Sequence, residues 1–85
     1  MKPPHPGETI KEEFLIPLGM SVSALAKELG VGAARIGEIV RGRRSVTADT
    51  ALRLARYFGT TPELWLSLQM LFDLRKAELR RRRAS

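Results

Sequence analysis

The chain has 85 residues, no cysteine and one histidine, which excludes disulfides and argues against a metal site built from its own side chains. A chain of this length buries only a small core and often needs further stabilisation. Without disulfides or a metal site, association with a second copy is the remaining source of that stability. No apolar run approaches the ~20 residues of a membrane span, and the start lacks the apolar segment of a signal peptide, so we expect a soluble, intracellular protein.

The net charge of +6 is unevenly distributed along the chain. Residues 1–30 carry three basic and four acidic side chains, whereas residues 31–85 carry twelve basic and five acidic ones. A basic excess confined to one part indicates a polyanionic partner, most often nucleic acid. On charge alone, a solvated surface with a basic tail explains the same numbers equally well.

Five short helices and no strand are predicted from the helical spacing of apolar residues and from the capping and terminating residues between them. The opening and closing residues are, in chain order, Pro6 and Gly19, Ser21 and Gly30, Gly32 and Gly42, Thr47 and Gly59, and Thr61 and about Arg80. The core positions expected in the first four helices are Ile10, Phe14 and Leu15; Leu25, Ala26 and Leu29; Ile36, Ile39 and Val40; and Ala48, Ala51, Leu52, Ala55 and Phe58. The pattern predicts a single all-α domain over residues 1–85.

The fifth helix, about 62–80, has two apolar faces. The first comprises Leu64, Trp65, Leu68, Leu71, Phe72 and Leu79. The second comprises Leu66, Met70, Leu74 and Ala77, with the polar residues Gln69, Asp73 and Lys76 between the two faces on one side. One face is enough to cover a small core, and a second needs another partner. We therefore predict that the second face is a homodimer interface; its coverage by the chain's own first helix is the alternative.

The strongest motif is a helix-turn-helix over residues 22–41. Ala26 is small enough for two helices to cross closely, and Gly30, four residues on, allows the left-handed turn between them. The apolar residues expected to fill the crevice are Leu25, Leu29, Val31, Ile36 and Ile39. This spacing is typical of a turn that presents its second helix to a DNA major groove. A helical protein-interaction domain with a coincidental turn is the alternative.

The exposed face of the third helix is the predicted reader of DNA bases. The residues on this face are Ala33, Ala34, Arg35, Gly37, Glu38 and Arg41. Arg35 is able to bind guanine through two hydrogen bonds or to pair with a phosphate. Glu38 is able to accept a hydrogen bond from cytosine or to pair with Arg41 or Arg35. The alanine methyl groups suit thymine methyls, and the shortage of polar side chains predicts that DNA shape contributes to specificity.

Phosphate contacts are expected beside this helix. Arg41, Arg43 and Arg44 follow it, and Thr47 lies at the start of the fourth helix, whose free amides favour an anion. Ser23 and Gly32, near the starts of the two motif helices, complete the predicted DNA-binding set.

No recognisable set of catalytic residues is present, so we do not expect an enzyme, a cofactor or a small-molecule substrate. His5 stands alone in a proline-rich start and is expected to be structural or solvent-facing, and Trp65 is expected in the core or at a dimer interface. The basic tail, residues 80–85, contains the run Arg80 to Arg83. The longer segment from Arg75 to Arg83 holds six basic residues, and it is either a frayed, solvated helix end or a sequence-independent contact with the DNA backbone.

The segments HPGETIKEEFLIPLGMSVSALAKELGV (5–31) and RIGEIVRGRRSVTADTALRLARYFGTTPELWLSLQ (35–69) resemble the HigA (VapI-type) antitoxin family of Xre-like helix-turn-helix proteins. The resemblance implies a five-helix, lambda-repressor-like domain with an extended C-terminal helix. It also implies a bacterial, cytoplasmic, dimeric antitoxin that binds a HigB-type mRNA-cleaving toxin and represses its own operon at a palindromic operator. The chain departs from the family pattern at residues 32–34, where polar residues are usual, and at Gly37, where asparagine is common. These departures affect the operator sequence and the strength of base readout rather than the fold.

The acidic residues Glu8, Glu12 and Glu13 lie in the part of the chain without a basic excess. Toxins that cleave RNA are usually basic, so our hypothesis is that the first helix faces the toxin while the basic part faces DNA. The alternative is a solvated face whose acidic residues are favourable near a helix N-terminus. A stand-alone repressor of the same fold without a toxin, or an RNA-binding or protein-interaction adaptor, are the rival functions.

Overall fold

The computed structural model describes residues 4–84, and every regular element in that range is helical. Helix α1 is continuous but changes type: it is α-helical over Pro6–Thr9, π-helical over Ile10–Leu15 and α-helical again over Ile16–Leu18. The other helices are α2 (Val22–Leu29), α3 (Ala33–Val40), α4 (Ala48–Phe58) and α5 (Pro62–Ala84). The prediction of a five-helix, all-α domain is confirmed.

The predicted caps form hydrogen bonds at three helix starts. The Oγ atom of Ser21 accepts from the backbone N–H of Ala24 at 3.1 Å. The Oγ1 atom of Thr47 accepts from the backbone N–H of Thr50 at 3.5 Å, and the Oγ1 atom of Thr61 accepts from that of Leu64 at 3.2 Å. Each side chain satisfies an amide that has no partner within its helix, so the helix boundaries follow from local chemistry.

The start of α1 packs directly against α3. The Nδ1 atom of His5 accepts the backbone N–H of Gly7 at 2.9 Å and so caps the helix. Gly7 is buried, and a Cβ atom there would collide with the backbone carbonyl of Ile39. The absence of a side chain therefore allows the two backbones to touch. The π-helical turn that follows brings Ile10 and Leu15, five residues apart, into the same core.

The core joins all five helices around Trp65, which has no solvent exposure. Phe14 of α1 stacks on Phe58 of α4 with ring centroids 4.0 Å apart, and both rings lie about 6 Å from the Trp65 ring. The indole Nε1–H donates to the Oγ1 atom of Thr60 at 2.7 Å, so the buried polar atom is satisfied. Trp65 is thus a core residue, one of the two places expected for it.

Five of the core positions predicted in the first four helices are exposed or only half-buried. In α4 the buried face comprises Thr50, Ala51, Leu54 and Ala55. Leu52 remains 59% exposed because it projects away from the i, i+3, i+4 row through Ala51. Ala48 lies on that row but is exposed, since it is the first residue of the helix. Phe14, Val40 and Phe58 are half-buried and pack against the buried core.

Helix α5 is longer than predicted and less covered. It continues to Ala84, and every side chain described from residue 73 onward is exposed. We call residues 73–84 the α5 extension. Leu64, Leu71 and Leu79, expected against the core, are each 41% exposed, because the body of the domain covers only a narrow strip of this helix. The described residues span 45 × 22 × 21 Å, which reflects this projection.

Gln69 is buried and hydrogen-bonded, although the sequence predicted it as a polar residue between the two apolar faces of α5. Its Oε1 atom accepts the backbone N–H of Val46 at 2.8 Å, and its Nε2 donates to the carboxylate of Asp73 at 2.9 Å. Val46 belongs to the loop between α3 and α4. Gln69 therefore fastens that loop to α5.

Candidate nucleic-acid interface

Helices α2 and α3 form the predicted helix-turn-helix. Gly30 ends α2 in the left-handed conformation with a φ of 72°, and the backbone N–H of Val31 donates to the carbonyl of Ala26 at 3.1 Å. Ala26 is almost fully buried, in agreement with the close crossing predicted there. The apolar residues of the crevice are buried or half-buried: Leu25, Leu29, Val31, Ile36 and Ile39.

The start of α3 faces solvent. Gly32 lies at the N-cap in an extended conformation without a side-chain cap, and Ala33 and Ala34 are exposed. The first amides of α3 are therefore not bound by a capping side chain, and no bulky group projects from this end of the helix. A surface of this shape is able to approach the edges of bases closely.

Arg35 does not project freely from α3. Its side chain is 33% exposed and turns towards the N-terminus of α4. There its Nη2 atom donates to the Oγ1 atom of Thr50 at 2.6 Å, and it lies 3.7 Å from a carboxylate oxygen of Asp49. The guanidinium thus links the two helices and brings positive charge beside the Thr47 cap, whose hydroxyl lies 3.4 Å from it.

Gly37 is buried, which corrects its predicted place on the exposed face. The Arg41 side chain, one turn further on, folds over it, and a Cβ at position 37 would lie 3.4 Å from the Arg41 Nη2 atom. Because glycine has no side chain, it leaves room for the guanidinium against the helix backbone. Arg41 itself is exposed and covers the surface that Gly37 was expected to present.

Glu38 pairs with Arg44, not with Arg41 or Arg35 as expected. The carboxylate and the Arg44 guanidinium are 3.6 Å apart, and both side chains are about half exposed. The reason is the turn at Gly42, whose φ of 75° reverses the chain and lets the Arg43 backbone N–H donate to the Glu38 carbonyl at 2.8 Å. An exposed ion pair of this kind contributes little to stability, so Arg44 is available to an anion.

The remaining predicted phosphate contacts lie on the surface. The exposed residues are Ser23 in α2, Arg41, Arg43 and Arg44 in the loop after α3, and Thr47 at the start of α4. Three cations therefore lie within four residues of the chain, just before the N-terminus of α4. Helix N-termini and cations of this kind favour the same anions.

Sequence reasoning missed a second cation that braces the motif. Arg53 of α4 donates from Nη1 to the backbone carbonyl of Leu29 at 2.7 Å, and its Nε bonds the Asp49 carboxylate at 3.0 Å. It therefore ties the last turn of α2 to α4. The i, i+4 spacing of Asp49 and Arg53 is a signal for their ion pair, but the contact with α2 depends on the fold.

The other predicted surfaces are also exposed. The proposed dimer face of α5 consists of Leu66, Met70, Leu74 and Ala77, and Met70 is 60% exposed. The first helix of the same chain does not cover this face in the described residues, so that alternative is wrong. Glu8, Glu12 and Glu13 are exposed on α1.

His5 is buried, as the structural alternative for it required. Its ring meets Phe72 edge to face with centroids 4.8 Å apart. Burial lowers the pKa of His5, and the nearby carboxylates of Asp73 and Glu8 only partly offset that effect. Among residues 4–84, no three His, Cys, Asp or Glu side chains are grouped to hold a metal ion, and no helix in that range has the length and apolarity to cross a membrane.

Comparison with known proteins shows the family. A helix-turn-helix family model matches residues 10–65. Virulence-associated protein I of Dichelobacter nodosus is 57% identical over 74 residues, which cover 87% of this chain and 68% of that protein. Antitoxin HigA-1 of Vibrio cholerae is 40% identical over 73 residues, covering 86% of this chain and 69% of that one. The chain belongs to the HigA antitoxin family.

The structural comparison agrees with this family. The solved structure of the Pseudomonas aeruginosa antitoxin HigA with the higBA promoter matches this HigA-family chain with a TM-score of 0.92 and 40% identity. The match covers 96% of this chain and 89% of that one. HigA-family proteins are helix-turn-helix DNA-binding proteins rather than enzymes, so this chain is not an enzyme.

Proposed function

We propose that this protein is the antitoxin of a type II toxin–antitoxin pair, which represses its own operon and neutralises a HigB-type mRNA-cleaving toxin in the cytoplasm. The observation that carries the proposal is the structural match over 96% of the chain to HigA with the higBA promoter. The exposed start of α3 and the cations of the following loop support it independently.

In this proposal a two-fold dimer inserts two copies of α3 into successive major grooves, about 34 Å apart. Ala33 and Ala34 approach base edges, and Arg43 and Arg44 bind the backbone on the side of the α4 N-terminus. The position of Arg35 beside Thr50 favours phosphate over guanine as its contact, because its guanidinium is held close to that N-terminus. Occupation of the promoter then prevents transcription.

The homodimer is supported by the exposed apolar face of α5. Leu66, Met70 and Leu74 are each more than a third exposed, and they repeat at four-residue spacing along the helix. A continuous apolar strip of this kind on a small domain is typical of an interface. Packing two copies of it together gives the two-fold symmetry that a palindromic operator requires.

Neutralisation of the toxin is assigned to the acidic residues of α1. Glu8, Glu12 and Glu13 are exposed and are offered to a basic, RNA-binding partner through charge complementarity. They lie on α1, whereas the predicted DNA contacts lie on α2, α3 and the loop before α4. One dimer is therefore able to hold DNA and toxin through different residues.

The test is co-expression with the product of the reading frame beside its gene, followed by a growth assay and a pull-down. We expect growth to be rescued and the two proteins to be recovered together. A triple variant, Glu8→Lys, Glu12→Lys and Glu13→Lys, is expected to lose the toxin and keep its operator. Operator binding without rescue would instead identify a stand-alone repressor of the same fold.

A further inference from the structure

A groove of about 440 Å³ lies between the α5 extension and the loop after α3. On the α5 side it is lined by Phe72, Leu79 and four basic residues, Arg75, Lys76, Arg80 and Arg83. These residues repeat every three or four positions and so share one face of the helix. Gly42 lines the other side. We call this cleft the α5 groove.

Most of the positive charge in the α5 groove is not neutralised by the protein. Arg75 pairs with Glu78 at 2.6 Å. Within the described part of the chain, no carboxylate lies within ion-pair distance of Lys76, Arg80 or Arg83. Three cations on one exposed face, without acidic partners, attract a polyanion and repel other cations.

The floor of the groove is apolar and held in place. Phe72 is half-buried, with its ring against that of His5 at 4.8 Å, and Leu79 continues the floor by two turns along the helix. The basic side chains therefore project from one continuous helix beside this apolar floor. Such an arrangement presents charges in a row along one line, as a strand of phosphates does.

The α5 groove is continuous with the candidate nucleic-acid interface. Gly42, which lines it, lies between Arg41 and Arg43 in the chain, both exposed. The proposed dimer face, represented by Met70 and Leu74, lies on the opposite side of α5, because it is out of phase with the groove residues along the helix. The groove is thus accessible when the dimer face is covered.

We propose that the α5 groove binds the phosphate backbone of double-stranded DNA next to the bases read by α3, without sequence preference. The inference rests on the proposed operator binding and extends its footprint along the duplex. The occupant is DNA because the unpaired cations of the groove adjoin the loop that already carries the backbone contacts. Only the backbone is involved, since arginine and lysine on a projecting helix bind phosphates without reading bases.

The test compares two double variants that remove the same charge. Arg80→Gln with Arg83→Gln removes two charges from the groove, whereas Arg56→Gln with Arg81→Gln removes two exposed charges that do not line it. Affinity for the chain's own promoter is measured from 50 to 200 mM salt, on the operator and on a scrambled duplex. Circular dichroism checks that both variants keep the helix content of the wild type.

The groove variant is expected to bind both duplexes more weakly by the same factor, with a salt dependence shallower by about 0.9 for each phosphate that it no longer binds. If two phosphate contacts are lost, raising the salt from 50 to 200 mM weakens the binding of the variant by a factor about ten times smaller than the factor for the wild type. The control variant is expected to keep most of the wild-type salt dependence.

Two results would overturn the inference while leaving operator binding intact. Equal decreases in affinity for the two variants would mean that net charge, not the groove, is responsible. An unchanged salt dependence with a weakened dimer, measured by sedimentation, would assign the groove to a second copy of the chain. A failure of the proposed function is distinguishable, because the wild-type protein would then bind the operator and the scrambled duplex equally well.

Discussion

At the scale of single residues, the position of the start of α1 depends on His5 and Gly7. Gly7 lets the backbones touch at Ile39, and His5 caps α1 while its ring packs against Phe72. The same helix end therefore contacts both the motif that presents α3 and the base of the α5 extension. A substitution of His5 or Gly7 is therefore expected to shift α3 or α5 without replacing a residue of the candidate nucleic-acid interface.

Gly7→Ala is expected to destabilise the protein by about 1–3 kcal/mol, because the added methyl group overlaps backbone that has no free rotation to relieve it. The matched control is Gly32→Ala, since nothing lies near a Cβ at that position and its φ is negative. Urea unfolding monitored by circular dichroism measures both changes. A Gly7→Ala protein as stable as the Gly32→Ala protein would mean that the α1–α3 contact is looser than described.

The stability of the fold is expected to depend on pH through His5. Burial lowers the pKa of His5 in the folded protein below its ordinary value of 6.5, so the folded state favours the neutral ring. Its contribution is fully present above pH 6.5 and decreases as the pH falls from 6.5 towards the lowered pKa. Protonation of Nδ1 also removes the acceptor for the Gly7 N–H.

His5→Asn keeps a side chain that caps helices and removes the titration. Unfolding free energies measured between pH 8 and pH 5 are therefore expected to fall more steeply for the wild type than for this variant. Parallel curves for the two proteins would contradict the role given to His5.

At the scale of helices, sequence reasoning correctly located the helices whose starts and ends are determined by residues close in the chain. Ser21, Thr47 and Thr61 cap helices with their own side chains, and Gly30 and Gly59 end them in the left-handed conformation, whatever packs around them. The helix-turn-helix was predictable for the same reason, since its spacing is local.

Features that depend on side-chain orientation or on distant neighbours were not predictable. Nothing in the sequence shows that the Arg41 side chain, four residues on, folds back over Gly37, or that α1 takes a π-helical turn that places both Ile10 and Leu15 in the core. Gln69 reads as a surface residue on a helical wheel because its partner, Val46, is 23 positions away. Most residues predicted to contact DNA are exposed on α2, α3 and the following loop, whereas the ion pairs of Arg35 and Glu38 could not be predicted.

Gln69→Leu is expected to cost about 1–3 kcal/mol, because the buried N–H of Val46 loses its acceptor. Ser67→Leu, at an exposed position of the same helix, is expected to change stability by no more than about 0.5 kcal/mol. Hydrogen exchange at the Val46 amide is the more specific measurement, and it should become faster in the first variant only. Unchanged protection at Val46 would show that the loop is held by other contacts.

At the scale of the whole molecule, a thin core is combined with a long helix that is mostly exposed. The body uses one strip of α5, including Trp65 and Gln69, and leaves apolar and basic faces on the rest. We propose that the exposed apolar face of α5 joins two copies of the chain and that its basic face contacts DNA. Dimerisation then determines the spacing of the two α3 helices.

Charges placed in the dimer face are expected to separate the subunits. The double variant Met70→Glu with Leu74→Glu should sediment as a monomer and bind the operator about 100-fold or more weakly, because each half-site is then bound alone. Leu18→Glu, at an apolar position 63% exposed on α1, serves as the control and should remain a dimer. A dimeric double variant would place the interface elsewhere.

The most direct test of the account is hydroxyl-radical footprinting of the chain's own promoter with the wild type and with Ala33→Glu. Ala33 is exposed at the start of α3, so a carboxylate there repels DNA without disturbing the core. We predict two protected patches about one helical turn apart for the wild type, and none for Ala33→Glu at the same concentration. Protection by Ala33→Glu equal to that of the wild type would contradict the assignment of α3 as the DNA-reading helix.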